Sequence, residues 1–280
     1  MKKIKKIINL SIVVFLSFIF SVFLFDFNII AHASEKKFSG TQVLSATQTE
    51  TVNYTRREVE SSSTVNNVPL YYQDASLANS CGATAGAIVV GFYDKYYENL
   101  IPDYTTYNPN TGKYKNSDKT YIPALMQEFY VLMRINVDDL GVGASDCLNG
   151  LSAYVSSKNY SFSYSTVKTF NKISESKYLS AINANHPVLL FNGSTNLYDI
   201  TTFSTNDVIV QSTISENHVY VGYGYTKIRY YNASGNFRTD TYLQVACGLN
   251  TMKSAYIKID SSISNVPSDW SIYGYSIEIS

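Results

Sequence analysis

The sequence predicts an α+β fold with an antiparallel sheet, and three observations carry that expectation. Segments with helical apolar spacing come first, between about residues 82 and 185. Short segments rich in β-branched and aromatic residues come later: PVLLFN, DVIVQS, HVYVGYGY, KIRYYN, TYLQVACG and SAYIKIDSS. Turn residues divide these segments, and no internal repeat links them. Helices grouped ahead of strands give an α+β architecture rather than alternating crossover units.

The chain opens with Lys2, Lys3, Lys5 and Lys6, then an apolar run from about Ile7 to Ile30, then Ala31-His32-Ala33. A basic start, an apolar centre and a small-x-small site make residues 1–33 a secretory signal peptide, cleaved after Ala33. The run is long enough to compete with a membrane anchor, but Asp26 interrupts it. The expected product is therefore secreted or displayed at the cell surface, without stable membrane insertion. Residues 34–66 are rich in Ser, Thr and Glu and lack an apolar period, which reads as a linker or short pro-segment. The domain proper is then 67–280.

Taking four lysines and Asp26 from 22 basic and 22 acidic residues leaves 18 and 21, a net charge near −3. That balance gives no basic surface for nucleic acid. Tyrosine is abundant, with 25 against one Trp, and reads as a polar, uncharged exported surface. Three cysteines, Cys81, Cys147 and Cys247, are too few and too scattered for a disulfide scaffold. A Cys147–Cys247 bridge with Cys81 free stays open, and Cys147, between leucines, reads as core.

The stretch LANSCGATAGAIVVGFYDKYY, 77–97, predicts a helix from Gly82 to about Glu98, capped by Asn79 or Ser80. Its Gly and Ala residues are costly in an isolated surface helix, so this helix is expected to be central and buried. Cys81 then sits at its first turn. The partial positive charge there favours a thiolate, and unpaired N–H groups can donate to an oxyanion. Helices are also expected over 120–135, over 145–159 with Ser145 or Asp146 as cap, and over 174–185.

A thiol nucleophile needs a base. Outside the leader only His186 and His218 are available. His186, between a helix and Pro187, reads as a turn residue. His218 opens the strand HVYVGYGY, which is expected to turn at Gly222 and Gly224. One Cys early on a helix with one His late on a strand is a nucleophile–base arrangement.

YYQDASLANSCGATAGAIVVGFYDKYY resembles the catalytic segment of papain-like cysteine peptidases, above all their bacteriocin-processing (double-glycine leader peptidase-like) branch. The matching features are VPLYYQ, the box Asn79-Ser80-Cys81-Gly82-Ala83-Thr84, the segment NANHPVLLF, the segment HVYVGYGY, and the closing pair YLQVACG and AYIKID. They span roughly 67–260. The resemblance implies a papain-like fold whose Cys-bearing helix packs on an antiparallel sheet, in a secreted bacterial enzyme that cleaves peptide bonds through a thioester. It implies Cys81 as nucleophile, His218 as base and then acid, and Gln73 as the oxyanion-hole amide. The family's third residue, an Asp or Asn that orients the imidazole, has Asn250 as its candidate and Asp240 as a weaker one.

Two other readings stay open. One is a peptidoglycan hydrolase using the same Cys–His pair; the other is an inactive papain-like surface or binding domain. No cofactor and no metal are expected, because neither histidine belongs to a metal-ligand motif and GVGAS lacks the P-loop lysine. The expected partner is a peptide or protein substrate, and the expected state a monomer.

Overall fold

In a computed structural model, the described residues are 48–51, 54–102, 104, 107–115, 120–137, 141–170, 172–193, 195–200, 207–214, 217–259 and 273–280. The expected leader and its cleavage site lie outside them. Four helices are described: α1 Cys81–Asp94, α2 Tyr121–Leu132, α3 Ala144–Ser157 and α4 Glu175–Asn183. The strands are β1 Gln48–Thr51, β2 Arg56–Thr64, β3 Tyr107–Asn108, β4 Lys113–Tyr114, β5 Phe162–Thr166, β6 Lys168–Thr169 and β7 Lys172–Ile173. They continue with β8 Val188–Asn192, β9 Thr195–Asp199, β10 Asp207–Ile214, β11 His218–Tyr231, β12 Phe237–Leu249, β13 Met252–Ile259 and β14 Tyr273–Ile279. The α+β class is as expected: helices pack against one antiparallel sheet.

That sheet has ten strands in the order β1-β10-β9-β13-β12-β11-β8-β14-β5, with β2 also pairing β11. Strand β11 is its centre. Its first five residues pair β8, residues 224–231 pair β2, and its other edge pairs β12. The expected turn at Gly222 and Gly224 is absent. Instead the register shifts by one residue there and the strand runs on, so HVYVGYGY and KIRYYN are one element. The side chain of Tyr178 from α4 occupies the space a Cβ at Gly222 would need. These glycines mark close approach, not chain reversal.

Residues 34–66 differ most from expectation. They are not all linker, since β2 pairs eight residues of β11 and β1 pairs β10. Val65, 1% exposed, follows in the core and its N–H donates to the Tyr223 carbonyl. Strand β14, beyond the last segment expected from sequence, lies between β8 and β5.

Helix α1 is buried along its whole length. Its small residues allow this. A Cβ at Gly86 would lie 2.7 Å from Met133 Cε and 3.3 Å from the Phe129 ring, closer than packed atoms tolerate. Ser80, the N-cap residue, makes no capping bond through its side chain; its carbonyl instead accepts the Thr84 N–H and hydroxyl. Asn79, in the left-handed region, donates its side-chain amide to Asn136. Helix α3 likewise starts from Gly143 without a side-chain cap, with Asp146 in its first turn. None of the three cysteines is in a disulfide and all are buried, Cys147 within the core as expected. Among the described residues, no helix is long and apolar enough to cross a membrane.

Candidate active site

Four pieces of chain converge at the N-terminus of α1: the helix start, the first residues of β11, the last residues of β12, and the segment leading into the helix. Each junction is a specific contact. The backbone amides of Val219 and Gly82 lie near enough to the Cys81 sulfur to favour its charged form. Val219 follows His218, so the sulfur rests on backbone one residue from the imidazole. The Gln73 N–H donates to the Gly248 carbonyl at 2.8 Å, which ties the entry segment to the end of β12.

Gly248 permits that closeness. Its φ of +68° lies where side chains are strained, and a Cβ there would meet Thr84 of α1 at 3.0 Å.

His218 is fully buried. Its Nε2 lies 2.8 Å from the Cys247 carbonyl oxygen. A carbonyl can only accept, so Nε2 carries the hydrogen. Tyr220, two residues along the same strand face, packs edge-on against the ring with centroids 4.5 Å apart. Burial lowers the imidazole's pKa to about 4, outweighing the Cys247 bond that raises it. The ring is therefore neutral near pH 7, with its lone pair on Nδ1. That nitrogen has no hydrogen-bond partner among the described residues.

Cys81 is also closed off, at 1% exposure. The sequence expectation of a thiol ionised by the helix dipole is not what the structure holds. A helix N-terminus favours a negative charge by about 0.3–2 kcal/mol. Desolvation acts the other way and wins, raising the thiol to about 12 despite the nearby backbone amides. That shift from an ordinary thiol corresponds to about 4 kcal/mol against the thiolate. In the structure both groups are neutral, a thiol and an imidazole.

Of the other expected residues, Gln73 joins the site through its backbone, and its buried Nε2 has no partner among the described residues. Asn250 does not serve the imidazole. It lies exposed in the turn after β12, and Nε2 is bonded to Cys247. Asp240 is excluded by distance. It pairs with Ile228 on β11, ten residues from His218, which is roughly 30 Å along a strand. There it forms ion pairs with Arg238 and Lys258 at 2.9 and 3.0 Å.

The group that orients the imidazole is thus the Cys247 main-chain carbonyl. Sequence could not reveal it, because every residue carries a carbonyl. Three further buried polar atoms without a hydrogen-bond partner among the described residues adjoin the site: the hydroxyl of Tyr220, which packs on the imidazole, Ser80 Oγ and Asn192 Oδ1. Ser80 Oγ precedes the thiol in the chain. Asn192 Oδ1 belongs to the residue directly opposite His218 on β8. Among the described residues, no cluster of three His, Cys, Asp or Glu could hold a metal ion. No protein-family model matches the chain, and neither does any curated protein sequence.

The neutral imidazole has a consequence for stability. In the unfolded chain His218 takes up a proton near pH 6.5, whereas in the fold it does so only near 4. The unfolded state therefore binds more protons between those values, and stability falls as pH falls through that window. The loss reaches on the order of 3 kcal/mol. Urea melts from pH 7 to pH 4 should show it, and His218→Leu should flatten that part of the profile.

Proposed function

We propose that this domain is an exported, papain-like cysteine peptidase that hydrolyses peptide bonds through a Cys81 thioester. The observation that best supports the reading is the state of His218. Its Nε2–H is held by the Cys247 carbonyl, so the basic Nδ1 stays unpaired in the cluster that contains the Cys81 thiol. The order along the chain supports the fold assignment: a Cys-bearing buried helix first, and a His-bearing antiparallel sheet later.

In this reading the Cys81 sulfur attacks the scissile carbonyl carbon, and its proton passes to Nδ1 of His218. The tetrahedral oxygen takes a hydrogen bond from Gln73 Nε2, a buried donor lacking any other partner among the described residues. The imidazolium returns the proton to the leaving amine, leaving an acyl thioester on Cys81. A water molecule, deprotonated by the same nitrogen, then hydrolyses the thioester. The Cys247 carbonyl acts as the positioning group that an Asp or Asn side chain supplies in other triads.

Burial raises the thiol and lowers the imidazole, so both causes act against proton transfer inside the buried site. Substrate must therefore open the site and bring polar groups to the sulfur before chemistry. The same burial is the observation that favours the second reading, a catalytically silent domain on this fold. Turnover of unfolded casein separates the two. In an active enzyme Gln73→Ala should lower kcat by about 10²- to 10³-fold, and Asn250→Ala should change it by less than about 2-fold, as expected for an exposed turn residue. No turnover by the unmodified protein sinks the peptidase reading.

A further inference from the structure

We infer that Asn192 is a substrate-binding residue: its Oδ1 accepts the main-chain N–H adjoining the scissile carbonyl, so the site selects a secondary amide over an ester. The inference rests on the peptidase reading above and names the chemistry of its substrate.

Strand β8 reads Val-Leu-Leu-Phe-Asn, and Asn192 is its one polar side chain. It is 7% exposed, and Oδ1 has no partner among the described residues. Leaving such an acceptor buried and unpaired costs about 1–3 kcal/mol, so the position calls for a reason. Asn192 ends β8 where His218 begins β11, and the two are paired in register. Directly opposed residues of an antiparallel pair project on the same face, with Cβ atoms about 4.5–5.5 Å apart. The amide therefore belongs to the imidazole's side of the sheet.

A bond from Oδ1 to the imidazole does not account for it. With the hydrogen on Nε2, Nδ1 is itself an acceptor, and two acceptors cannot bond each other. Oδ1 awaits a donor from outside. Gln73 Nε2 is the complementary case, a buried donor awaiting an acceptor. Apart from the imidazole's Nδ1 and the hydroxyls of Ser80 and Tyr220, the unpartnered polar atoms of this cluster are Gln73 Nε2, a donor, and Asn192 Oδ1, an acceptor, and these two match the C=O and N–H of a peptide chain. None of these atoms carries a formal charge, so the matching ligand is a neutral dipole and not an ion. A site built to bond a substrate N–H rejects the analogue lacking it, because its own buried group is then left unpaired.

The test uses the chain from Ser34 onward and two probes that alkylate a thiol with loss of chloride. One is benzyloxycarbonyl-Phe-Ala chloromethyl ketone; the other has an ester oxygen in place of the alanine N–H. The readout is the rate of Cys81 alkylation by intact mass, with chloroacetamide as the reference. The amide probe should react about 10- to 100-fold faster than the ester probe. Asn192→Ala should bring that ratio near one by slowing the amide probe alone. Asn192→Val, a better strand former, serves if the alanine variant unfolds. Equal rates in the unmodified chain overturn the assignment, as does a ratio that survives both substitutions. Rates no faster than chloroacetamide for both probes would instead remove the peptide cleft, and the peptidase reading with it.

Discussion

Starting the chain at Asn67 is expected to unfold the domain, not to release an activated enzyme. Strand β2 covers residues 224–231 of the central strand, whose first residues carry His218 and Val219 into the site. Its removal also takes the buried Val65 and the bonds from Val65 to Tyr223 and from Thr55 to Tyr231. The side-chain partners of β2 are mostly exposed: Arg56 lies 3.9 Å over the Tyr231 ring, and Glu58 and Glu60 pair with Arg229. Exposed ion pairs of this kind contribute about 0–1 kcal/mol each, so the main loss is the ladder and Val65. Several ladder bonds at about 1 kcal/mol each amount to roughly half of a typical domain's stability. The bared edge of β11 would also invite pairing between chains. Thermal melts and light scattering of the chains from Ser34 and from Asn67 check this. A shorter chain with an unchanged Tm and higher activity would identify 34–66 as a removable pro-segment.

The second large effect concerns the thiols. At pH 8 an ordinary thiol with a pKa near 9 is about one-tenth ionised. Cys81, pushed up to about 12 by burial, is ionised roughly a thousandfold less. Cys247 is raised further by the same cause, and Cys147 is fully buried. Native protein at pH 8 should therefore take up no iodoacetamide label in the time that the denatured chain takes up three. Labelling should first appear as pH rises toward the folded thiol's value or as local opening exposes the site. A single fast label on Cys81 near pH 6, lost in His218→Ala, would show instead a preformed thiolate–imidazolium pair and an open cleft.

How far these features were readable in the sequence follows from what each is made of. Helix α1 was legible because its apolar residues and its dense small residues demand a buried position, and its observed start is one residue from the expected one. Cys81 and His218 stood out because cysteine and histidine are scarce in this chain. The state of the thiol was not legible, since the dipole can be read from a sequence but the desolvation that overrides it cannot. Strand β2 was missed because RREVESSST has little apolar alternation, and even its Val59 is exposed. It pairs through its main chain, which leaves no trace in side-chain pattern. The Cys247 carbonyl escaped for the same reason. Asn192 was passed over within an apolar run, although a lone amide in such a strand is itself a signal once burial is known.

The central claim is that Cys81 and His218 act as nucleophile and base, and hydrolysis of unfolded casein tests it most directly. The unmodified chain should cleave it. Cys81→Ala and His218→Ala, each verified as folded by its melt, should lose at least about 10³-fold. Absence of cleavage by the unmodified chain, or cleavage that survives Cys81→Ala, would contradict the account.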